Sequence, residues 1–468
     1  MTGRRWSLRS TDRLKEHRGS KHASDVAEAI RAAARSEVRG ALEGLISGFH
    51  PIDIAYAMGE LTSEERSRIF DLLDSEASGV VLEEVDDRIA ADLAEATDER
   101  ELAEIIDAMP PDSGADAMGA LSDEMQHRIL NRIPPDEARE LAQLLDYSEE
   151  SAGGLMTTEV IVSPPDITAK DILQHIRRTN VSPEAIFRVF VVDDDRILLG
   201  ACDLVDIINA RDDQPLRKIM NADPVRVHHD TDQEEVVRRV DKYDLTSIPV
   251  VDDHDRLLGA VTVDDVIDAL QREATEDVGF MAGSNIDDLQ SRSPWVAARS
   301  RIPWLLLSLL TGMLSVIVVR AFEGTLEEAV LLAAFIPIVL AMASNAGLQS
   351  SMVTVRALAL GFTDERGAGR MLWRQVPASI LVAIPCGLIA LLAGALLLSE
   401  PGYGLIVGVG MFLAMSIGGT LGSAVPLAFN RFGVDPAIAS GPLFTTLNDA
   451  IALLVYFGTA VLLMQFIV

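Results

Sequence analysis

Cysteine and lysine are scarce in this chain of 468 residues, and each scarcity excludes a class of protein. The only cysteines, Cys202 and Cys386, lie in different halves of the chain, which excludes a disulfide framework and fits a reducing compartment. None of the five lysines follows a glycine, so a Walker A phosphate loop is absent, as are His-Glu-x-x-His and paired-cysteine motifs. We therefore expect a protein that is not an enzyme.

Histidine is also uncommon, with eight scattered residues. His228-His229 is the only adjacent pair, and it falls at the edge of a predicted strand. Histidines at such an edge more often face solvent than hold a metal, so we expect this pair to be a surface feature.

Charge is divided unevenly along the chain. Of 71 acidic and 40 basic side chains, only eight of each lie in residues 299–468, so residues 1–298 carry the entire net charge of −31. That excess would repel nucleic acid and makes cations the natural counter-ligands, although a solvated acidic surface would have the same composition. Arginines near the N-terminus are not followed by an apolar segment, so we expect no cleaved signal peptide and a disordered leader at residues 1–29.

Five apolar segments in residues 299–468 are each near or above the ~20 residues that a helix needs to cross a membrane. They are residues 302–320, 329–355, 375–399, 403–430 and 437–467. Arginines lie before the first segment, between the second and third, and between the fourth and fifth, whereas the alternate loops are mostly acidic. By the positive-inside rule we predict an all-α domain of five transmembrane helices in the inner or plasma membrane, with cytoplasmic N-terminal domains and the last helix ending outside.

Few polar side chains interrupt these segments, and the most costly is Asp449, the only charged residue between Pro436 and Val468. An ionised carboxylate inside a membrane costs on the order of 3 kcal/mol even on a lenient scale, which favours a role in an ion or proton pathway over a structural one. Asn345 and Gln349 are four residues apart, so they share a helix face. Such a face can line a cavity or provide hydrogen bonds between helices.

Residues 30–148 have the apolar period of helices, as at Leu102, Ile105 and Ile106. Short Pro/Asp turns separate the helices at residues 51–53, 110–112 and 134–136. We expect the Asp of each turn in a helix-capping position. The pattern predicts an all-α superhelical N domain with acidic outer faces.

A repeat of 59 residues follows the helical region. The stretch from Val191 to Gly200 returns as the stretch from Val250 to Gly259, and each copy is expected to form a strand, an acidic turn, a second strand and a helix. These copies resemble tandem cystathionine-β-synthase (CBS) domains, which are α/β regulatory modules that bind adenine nucleotides in some families. The two domains are placed at residues 149–212 and 213–273.

The nucleotide sites of such domains contain a Thr/Ser-x-x-Asp motif, whose hydroxyl lies near phosphate and whose carboxylate binds ribose. The second copy has Thr262 and Asp265 at this spacing, whereas the first has Asp203 in place of the hydroxyl and keeps Asp206. The resemblance therefore indicates ATP as a candidate ligand at Asp206, Thr262 and Asp265. Helix capping is an equally good account of Thr262.

The order of an acidic helical array, tandem CBS domains and five spans resembles the MgtE family of magnesium channels over residues 30–468. Four motifs carry the resemblance. They are Ser151-Ala-Gly-Gly-Leu-Met-Thr157, Phe335-Ile-Pro337, Asn345-Ala-Gly347-Leu-Gln349-Ser350, and Asp435-Pro-Ala-Ile-Ala-Ser-Gly-Pro442 leading to Asp449. The resemblance implies a homodimer with a central pore and a connecting plug helix at residues 274–298.

The resemblance assigns the pore to Asp449, with Asn345, Gln349, Thr445 and Thr446 as further lining. Mg²⁺ gives up its water reluctantly, so two Asp449 carboxylates at a twofold axis would accept hydrogen bonds from the hydrated ion. The same resemblance implies a cytosolic Mg²⁺ sensor that bridges the soluble domains and the plug helix. The matching residues are Asp112, Asp116, Asp232, Asp244, Asp265, Asp268, Glu276 and Asp277.

We therefore expect a Mg²⁺-selective channel for magnesium uptake that cytosolic Mg²⁺ closes, with divalent cations and membrane lipid as partners. Two alternatives stay open: a membrane-anchored metal or nucleotide sensor without flux, and a proton-coupled transporter of Co²⁺ or Mn²⁺. The family usually has Gly-Gly where this chain has Ala343-Ser344, and Gly where it has Ala452. These bulkier residues are expected to bear on selectivity among Mg²⁺, Co²⁺, Ni²⁺ and Mn²⁺.

Overall fold

The structure is a computed structural model that describes residues 26–31, 44–179, 185–284, 294–324, 330–359, 361, 367–398 and 401–467. Residues 1–25 of the expected leader lie outside this description, and residues 26–31 are helical. The chain divides into two compact units, Met1–Asp268 and Ala269–Val468.

Eight short helices joined by tight turns fill residues 51–145 of the first unit. They are α1 (Pro51–Met58), α2 (Ser63–Phe70), α3 (Ser75–Glu84), α4 (Asp87–Ala96), α5 (Glu99–Ala108), α6 (Pro111–Gly119), α7 (Asp123–Leu130) and α8 (Pro135–Leu145). The helices pack chiefly on the helix two positions along, as α1 does on α3, α3 on α5 and α6 on α8. This is the arrangement of a superhelical array, so the predicted all-α N domain is confirmed.

Proline sets where three of these helices begin, but the aspartates beside it do not cap them. The first-turn prolines are Pro51, Pro111 and Pro135, and the residues at the cap positions are His50, Pro110 and Pro134. A proline in the first turn costs little because its missing N–H would have no intrahelical partner there. Asp53, Asp112 and Asp136 lie inside the first turn, so the expectation that they cap the helices is wrong. Their charge instead complements the helix dipole.

The apolar period of the N domain corresponds to a buried face. Leu102, Ile105 and Ile106 of α5 are at most 2% exposed. A Cβ added at Gly79 of α3 would lie 2.8 Å from Cγ of Met109, the residue that ends α5, so the two helices are in close contact. Burying each large apolar side chain contributes about 1.5–3 kcal/mol, which stabilises an array whose surface is highly charged.

Two three-stranded sheets follow, one in each copy of the repeat. The elements are β1 (Ile161–Ser163), α9 (Ala169–Ile176), β2 (Arg188–Val192), β3 (Leu198–Asp203), α10 (Leu204–Asn209), β4 (Val227–His228), α11 (Gln233–Tyr243), β5 (Ser247–Val251) and β6 (Leu257–Thr262), with 3-10 turns at Ala185–Phe187 and Leu216–Lys218. In each sheet the first strand is parallel to the second, and the second is antiparallel to the third. The predicted tandem α/β domains are therefore confirmed.

The two copies of the repeat are joined through their acidic turns. The Leu198 N–H donates to the Asp255 carbonyl and the Leu257 N–H donates to the Arg196 carbonyl, both at 2.9 Å. Arg196 and Asp255 occupy equivalent positions, and both adopt the left-handed conformation, with φ of 63° and 58°. The sequence repeat is thus also a repeat of backbone conformation, with reciprocal bonds between the copies.

Long apolar helices form the second unit. Helix α12 (Val263–Ala282) begins in the first unit, and the helices after it are α13 (Pro294–Ala321), α14 (Val330–Ala333), α15 (Ile336–Ala359), α16 (Gly367–Leu397), α17 (Pro401–Arg431) and α18 (Pro442–Ile467). Among the described residues, α13, α15, α16, α17 and α18 are long and apolar enough to cross a membrane. The prediction of five transmembrane helices is confirmed.

The helix boundaries differ from the predicted segments at two places. The second segment is divided into α14 and α15, and the fifth begins with a 3-10 turn at Pro436–Ser440 before α18. Gly441 is extended between the turn and the helix, and Pro442 begins α18 because a proline loses no hydrogen bond there. The expected plug region, residues 274–298, comprises the end of α12, residues 285–293 outside the described part, and the start of α13.

Glycines let α17 approach its neighbours at backbone distance. A Cβ at Gly422 would lie 2.1 Å from the Gly347 carbonyl oxygen of α15, and one at Gly404 would lie 2.5 Å from a backbone nitrogen of α16. A Cβ at Gly410 would meet the Tyr456 ring of α18 at 2.7 Å. Because lipid is as apolar as the helices, such close packing is what holds membrane helices together.

Candidate functional site

Asp449 lies near the start of α18, half-buried against α15. The Ser344 hydroxyl of α15 donates to Asp449 Oδ1 at 2.5 Å. A hydroxyl bound to an ionised carboxylate at this distance is one of the stronger kinds of hydrogen bond. The carboxylate is therefore held in place by a neutral donor.

Asn448 lies beside this pair and is 1% exposed. Its Nδ2 approaches the Ser344 hydroxyl at 3.4 Å, while its Oδ1 is buried without a hydrogen-bond partner among the described residues. A Cβ at Gly418 of α17 would lie 3.1 Å from that Oδ1, so the amide is closely packed. An unpaired buried acceptor is uncommon in proteins and suggests a ligand or water as its partner.

The other predicted pore residues have different surroundings. Asn345 and Gln349 are exposed on α15. The Thr446 hydroxyl lies 2.7 Å from the Thr311 hydroxyl of α13, whereas Thr445 donates to the backbone carbonyl three residues before it. The structure thus leaves the two amides at the surface of the chain and uses Thr446 in a contact between spans.

The sequence indicated the segment from Thr445 to Asn448 as pore lining, but it showed Ser344 only as added bulk and gave no sign of Thr311. The available signal for Ser344 was its hydroxyl, one residue before Asn345, where the family usually has glycine. Ala343 and Ala452 are at most 2% exposed within the core of the unit. These two departures from the family pattern therefore lie in the packing between spans.

A second candidate site lies in the first unit, where the start of α6 and the start of α12 each contribute a carboxylate. Asp112 Oδ1 is buried without a hydrogen-bond partner among the described residues. Burial raises the pKa of Asp112 to about 6, and backbone N–H groups of its own turn oppose this shift. Burial likewise raises the pKa of Asp265 to about 7, with the Thr262 hydrogen bond opposing and the Asp112 charge adding to it.

Four further carboxylates join these two in what we call the acidic cluster. Its members are Glu83, Glu84, Asp112, Asp264, Asp265 and Asp268. Burial raises the pKa of Glu83, although the Ser113 hydroxyl donates to Glu83 Oε1 at 2.8 Å. Burial also raises the pKa of Glu84, and repulsion from Asp268 adds to it. Carboxylates that share a desolvated site repel one another, and a bound cation would relieve both costs.

Among the predicted sensor residues, the structure brings together Asp112, Asp265 and Asp268. Glu83 and Glu84 were missed because they belong to α3, far from the other members in sequence. A signal was present, since two acidic residues at the C-terminus of a helix oppose its dipole and call for a counter-charge.

The remaining predicted sensor residues of the first unit are found in other places. Asp232 caps α11 by accepting from the Glu234 N–H at 2.9 Å, and Asp244 ends the same helix with a left-handed φ of 50°. Asp116 lies in α6, one helical turn after Asp112. Asp232 and Asp244 thus have evident structural roles at the ends of a helix.

In the second unit, Asp277 of α12 has another carboxylate near it. Burial raises the pKa of Asp277 to about 6, with the charges of Asp435 and Glu273 adding to the shift and Arg356 opposing it. Burial also raises the pKa of Asp435, which accepts from the Ala437 N–H at 2.7 Å. Glu276 lies beside Asp277 on the same helix.

The end of α12 also contacts the start of the fifth span at backbone distance. A Cβ at Gly441 would lie only 2.4 Å from the Phe280 carbonyl oxygen. The Phe280 ring packs edge-on against Trp304 of α13, with centroids 6.2 Å apart. The last turn of α12 is therefore held between the first and fifth spans.

The predicted nucleotide residues include a hydrogen-bonded pair. The Thr262 hydroxyl donates to Asp265 Oδ2 at 2.6 Å, immediately before and within the first turn of α12. The Asp265 carboxylate also accepts from the Thr262 backbone N–H, as the third residue of a helix does in a capping box. In the first copy, Asp203 pairs with Arg188 at 2.7 Å and Asp206 is exposed.

Comparison with known proteins shows the family to which the chain belongs. Residues 336–459 match MgtE, described as a divalent cation transporter, residues 49–150 match the MgtE intracellular N domain, and residues 152–213 and 216–272 match CBS domains. A magnesium transporter MgtE of Thermus thermophilus is 34% identical over 446 residues, which cover 94% of this chain and 99% of the relative. The chain belongs to the MgtE family. It is a multi-pass membrane protein with soluble N-terminal domains, in a family of transporters and not of enzymes.

Other MgtE relatives show similar agreement. A magnesium transporter MgtE of Enterococcus faecalis is 34% identical over 333 residues, which cover 71% of this chain and 73% of the relative. One of Bacillus subtilis is 30% identical over 416 residues, which cover 89% and 92%. Among solved structures, the cytosolic domain of the Mg²⁺ channel MgtE in complex with ATP is 34% identical, covers 52% of this chain and 99% of that chain, and has a TM-score of 0.49.

Proposed function

We propose that this MgtE protein is a Mg²⁺-selective channel for magnesium uptake that cytosolic Mg²⁺ closes by binding to the acidic N and CBS domains. The observation that carries the proposal is Asp449, a carboxylate near the start of a membrane-spanning helix with a hydroxyl donor on another span. The named substrate of its curated relatives, magnesium, supports the choice of ion.

The ion would pass Asp449 with its water. Mg²⁺ binds its first shell of water firmly, and a pore that strips the shell would be slow. A carboxylate oriented by Ser344, with the Asn448 amide beside it, offers acceptors to the hydrated ion. One charge per chain attracts the cation without binding it too tightly to leave.

A homodimer would complete this pathway. A single chain supplies one Asp449 and leaves Asn345 and Gln349 exposed on α15. A second copy related by a twofold axis would bring the same residues of both chains to a common axis. This is the arrangement that a central pore requires.

The acidic cluster suits a regulatory Mg²⁺ ion. Mg²⁺ prefers carboxylate and water oxygens, and the cluster supplies six carboxylates. Asp112 Oδ1 is buried without a partner among the described residues, which fits an atom reserved for a ligand. Asp112, Asp265 and Glu83 would hold the ion, and its charge would offset their mutual repulsion.

Helix α12 is the element through which binding would reach the spans. It carries Asp265 and Asp268 in its first turns, and Glu276 and Asp277 in its last turns. An ion that favours one position of the first turns would shift the population of α12 positions. The other end of α12 contacts Gly441 at the start of α18, eight residues before Asp449.

ATP binding stays a prediction for this chain. Thr262 is engaged with Asp265, so a nucleotide at this motif would compete with the helix cap. A Thr262→Ala variant separates the two roles. We expect a loss of about 1 kcal/mol of stability from the cap alone, measured as a shift of the thermal midpoint, and a further loss of ATP-induced stabilisation only where ATP binds there.

One liposome experiment tests the channel against both alternatives. The full chain is reconstituted in liposomes that contain a Mg²⁺-sensitive dye and a proton-sensitive dye. We expect Mg²⁺ influx that needs no pH gradient in the native chain and is abolished in Asp449→Ala. Flux that follows the pH gradient supports the proton-coupled transporter, and no flux in the native chain supports the anchored sensor.

The control is the oligomeric state of the variant. Asp449→Ala is compared with the native chain by size-exclusion chromatography in detergent, where equal elution shows that the assembly is intact. Normal Mg²⁺ influx in this variant would sink the assignment of Asp449 to the pore.

A further inference from the structure

The last residue of β4 and the loop after it contain two imidazoles and a carboxylate that the transport proposal does not use. His228, His229 and Asp230 place their ligand atoms within 4.8 Å of one another, and no other such group is found in the described part of the chain. His229 Nδ1 is 2.7 Å from Asp230 Oδ1, and His228 Nδ1 is 3.8 Å from Asp230 Oδ2. Both Nδ1 atoms therefore face one carboxylate.

Hydrogen bonds orient His228 as they orient a metal ligand. Its Nε2 is 3.0 Å from Asp253 Oδ1, while the Asp230 backbone N–H donates to its Nδ1 at 3.4 Å. These two contacts select the neutral tautomer with the proton on Nε2, and a metal at Nδ1 would displace the long contact from the Asp230 N–H. A carboxylate that accepts from the far nitrogen of a histidine is the usual second partner at metal sites, because it fixes the ring and raises its basicity.

His229 is held from several sides and has a ring nitrogen without a hydrogen-bond partner among the described residues. Its carbonyl accepts from the Gly153 N–H at 2.8 Å, and its ring lies 5.3 Å from the Tyr147 ring. The His229 Nδ1 is buried and has no hydrogen-bond partner among the described residues, because its approach to Asp230 lacks the alignment of a hydrogen bond. A buried ring nitrogen without a partner is costly unless a ligand satisfies it.

We propose that His228, His229 and Asp230 bind a transition-metal dication of the Zn²⁺, Co²⁺ and Ni²⁺ class, with water completing the coordination. Imidazole suits these ions, whereas Mg²⁺ prefers oxygen ligands, so the site discriminates against the ion of the acidic cluster. The side chain of Asp230 is 77% exposed, and its carboxylate already lies beside both Nδ1 atoms, so it can join the ligand set around an ion. The site is independent of the proposed transport.

The two imidazoles are partly buried, although a surface position was expected for them. His228 and His229 have side chains only 35% and 22% exposed, at the point where the segment from Tyr147 to Gly153 meets the second CBS domain. A metal bound here would fix the conformation of the turn at His229 and Asp230. It would thereby stabilise the junction between the segment from Tyr147 to Gly153 and the second CBS domain.

Titration with Co²⁺ tests the site directly. The full-length protein in detergent is titrated with Co²⁺ in the presence of about 5 mM Mg²⁺, which occupies oxygen-only sites, and the visible absorption of imidazole-bound Co²⁺ is recorded. We expect one Co²⁺ per chain in the native protein. His229→Gln and His228→Gln should each weaken binding at least tenfold, and Asp253→Ala about tenfold through its effect on His228.

The matched control is His175→Gln, which removes an exposed histidine of α9 and should leave Co²⁺ binding unchanged. Thermal unfolding of each variant without metal confirms that it is folded. The proposal is overturned by absence of Co²⁺ absorption in the native protein, by equal displacement of Co²⁺ by Mg²⁺, or by unchanged binding in folded His228→Gln and His229→Gln.

Discussion

Asp449 and the acidic cluster use the same functional group in opposite surroundings. Asp449 is alone in its span and accepts a hydrogen bond from Ser344. The cluster gathers six carboxylates of which Asp112 leaves a buried oxygen without a partner. A single charge with a neutral donor attracts an ion weakly, whereas several desolvated charges retain it. The difference suits Asp449 to letting an ion pass and the acidic cluster to keeping an ion bound.

The difference between Asp449 and the acidic cluster is tested most directly by removing the charge of Asp449 without changing its shape. Asp449→Asn should reduce Mg²⁺ flux at least about 100-fold, because the amide no longer attracts a dication inside the membrane. Flux is measured in liposomes. Mg²⁺-dependent protection of the soluble domains against protease should be unchanged, and a loss of that protection would contradict the separation.

Neutralising the acidic cluster should leave the flux intact and remove its regulation by Mg²⁺. Glu83→Gln combined with Asp265→Asn should leave flux at low Mg²⁺ intact and remove its inhibition by cytosolic Mg²⁺. The thermal midpoint without Mg²⁺ should rise by about 2–4 °C for each kcal/mol of repulsion that the variant relieves. Asp107→Asn, at an exposed position of α5, is the matched control. Unchanged Mg²⁺ inhibition in the double variant would exclude the cluster as the sensor.

Acidification should lower the Mg²⁺ affinity of the acidic cluster by about tenfold. Because the pKa of Asp265 is raised to about 7 and that of Asp112 to about 6, protons compete with Mg²⁺ below these values, and affinity falls by up to tenfold per pH unit for each proton displaced. We expect the Mg²⁺ concentration for half-maximal protease protection to rise about tenfold from pH 8 to pH 6.

The free energy of unfolding of the Mg²⁺-free protein should change with pH in the opposite direction to the Mg²⁺ affinity. The folded-state pKa of Asp265 is raised above the ordinary value of 3.8, so its ionisation costs folding energy that is absent below pH 4 and complete above about pH 7. The free energy of unfolding without Mg²⁺ should therefore fall as pH rises through this window. A midpoint that rises over the same window, measured with chelator present, would show that the carboxylates have another counter-charge.

The smallest effect on flux is expected from removing the donor to Asp449. Ser344→Ala removes the hydroxyl and should lower flux by about tenfold, which corresponds to loss of one charge-assisted hydrogen bond. Ser344→Gly, the residue that the family usually has, is compared in the same liposome assay. Flux in Ser344→Ala equal to that of the native chain would reduce Ser344 to a packing residue.

Much of this fold was open to prediction because it rests on periodic patterns. The five spans follow from runs of apolar residues, and the tandem α/β domains follow from a repeat that the left-handed turns at Arg196 and Asp255 preserve. Helix starts were harder to predict, since Pro110 and Pro134 rather than the aspartates occupy the cap positions.

The candidate sites were predicted less completely because they join residues that are distant in sequence. Asp449 was detectable from its cost in a membrane, but Ser344 lies 105 residues before it and its role depends on how α15 packs on α18. Glu83 and Asp268 come near each other only because the N domain and the second CBS domain fold together. Charge along the sequence predicts an acidic surface, and only tertiary packing determines which carboxylates become desolvated.

The contact between Gly441 and Phe280 has a mechanical consequence. With no space for even a methyl group between the two backbones, the joint has almost no compressibility, so a displacement of the α12 end cannot be absorbed there. The joint therefore acts as a rigid coupling, and adding one methyl group at Gly441 would change the rest position of that coupling without altering a single charge.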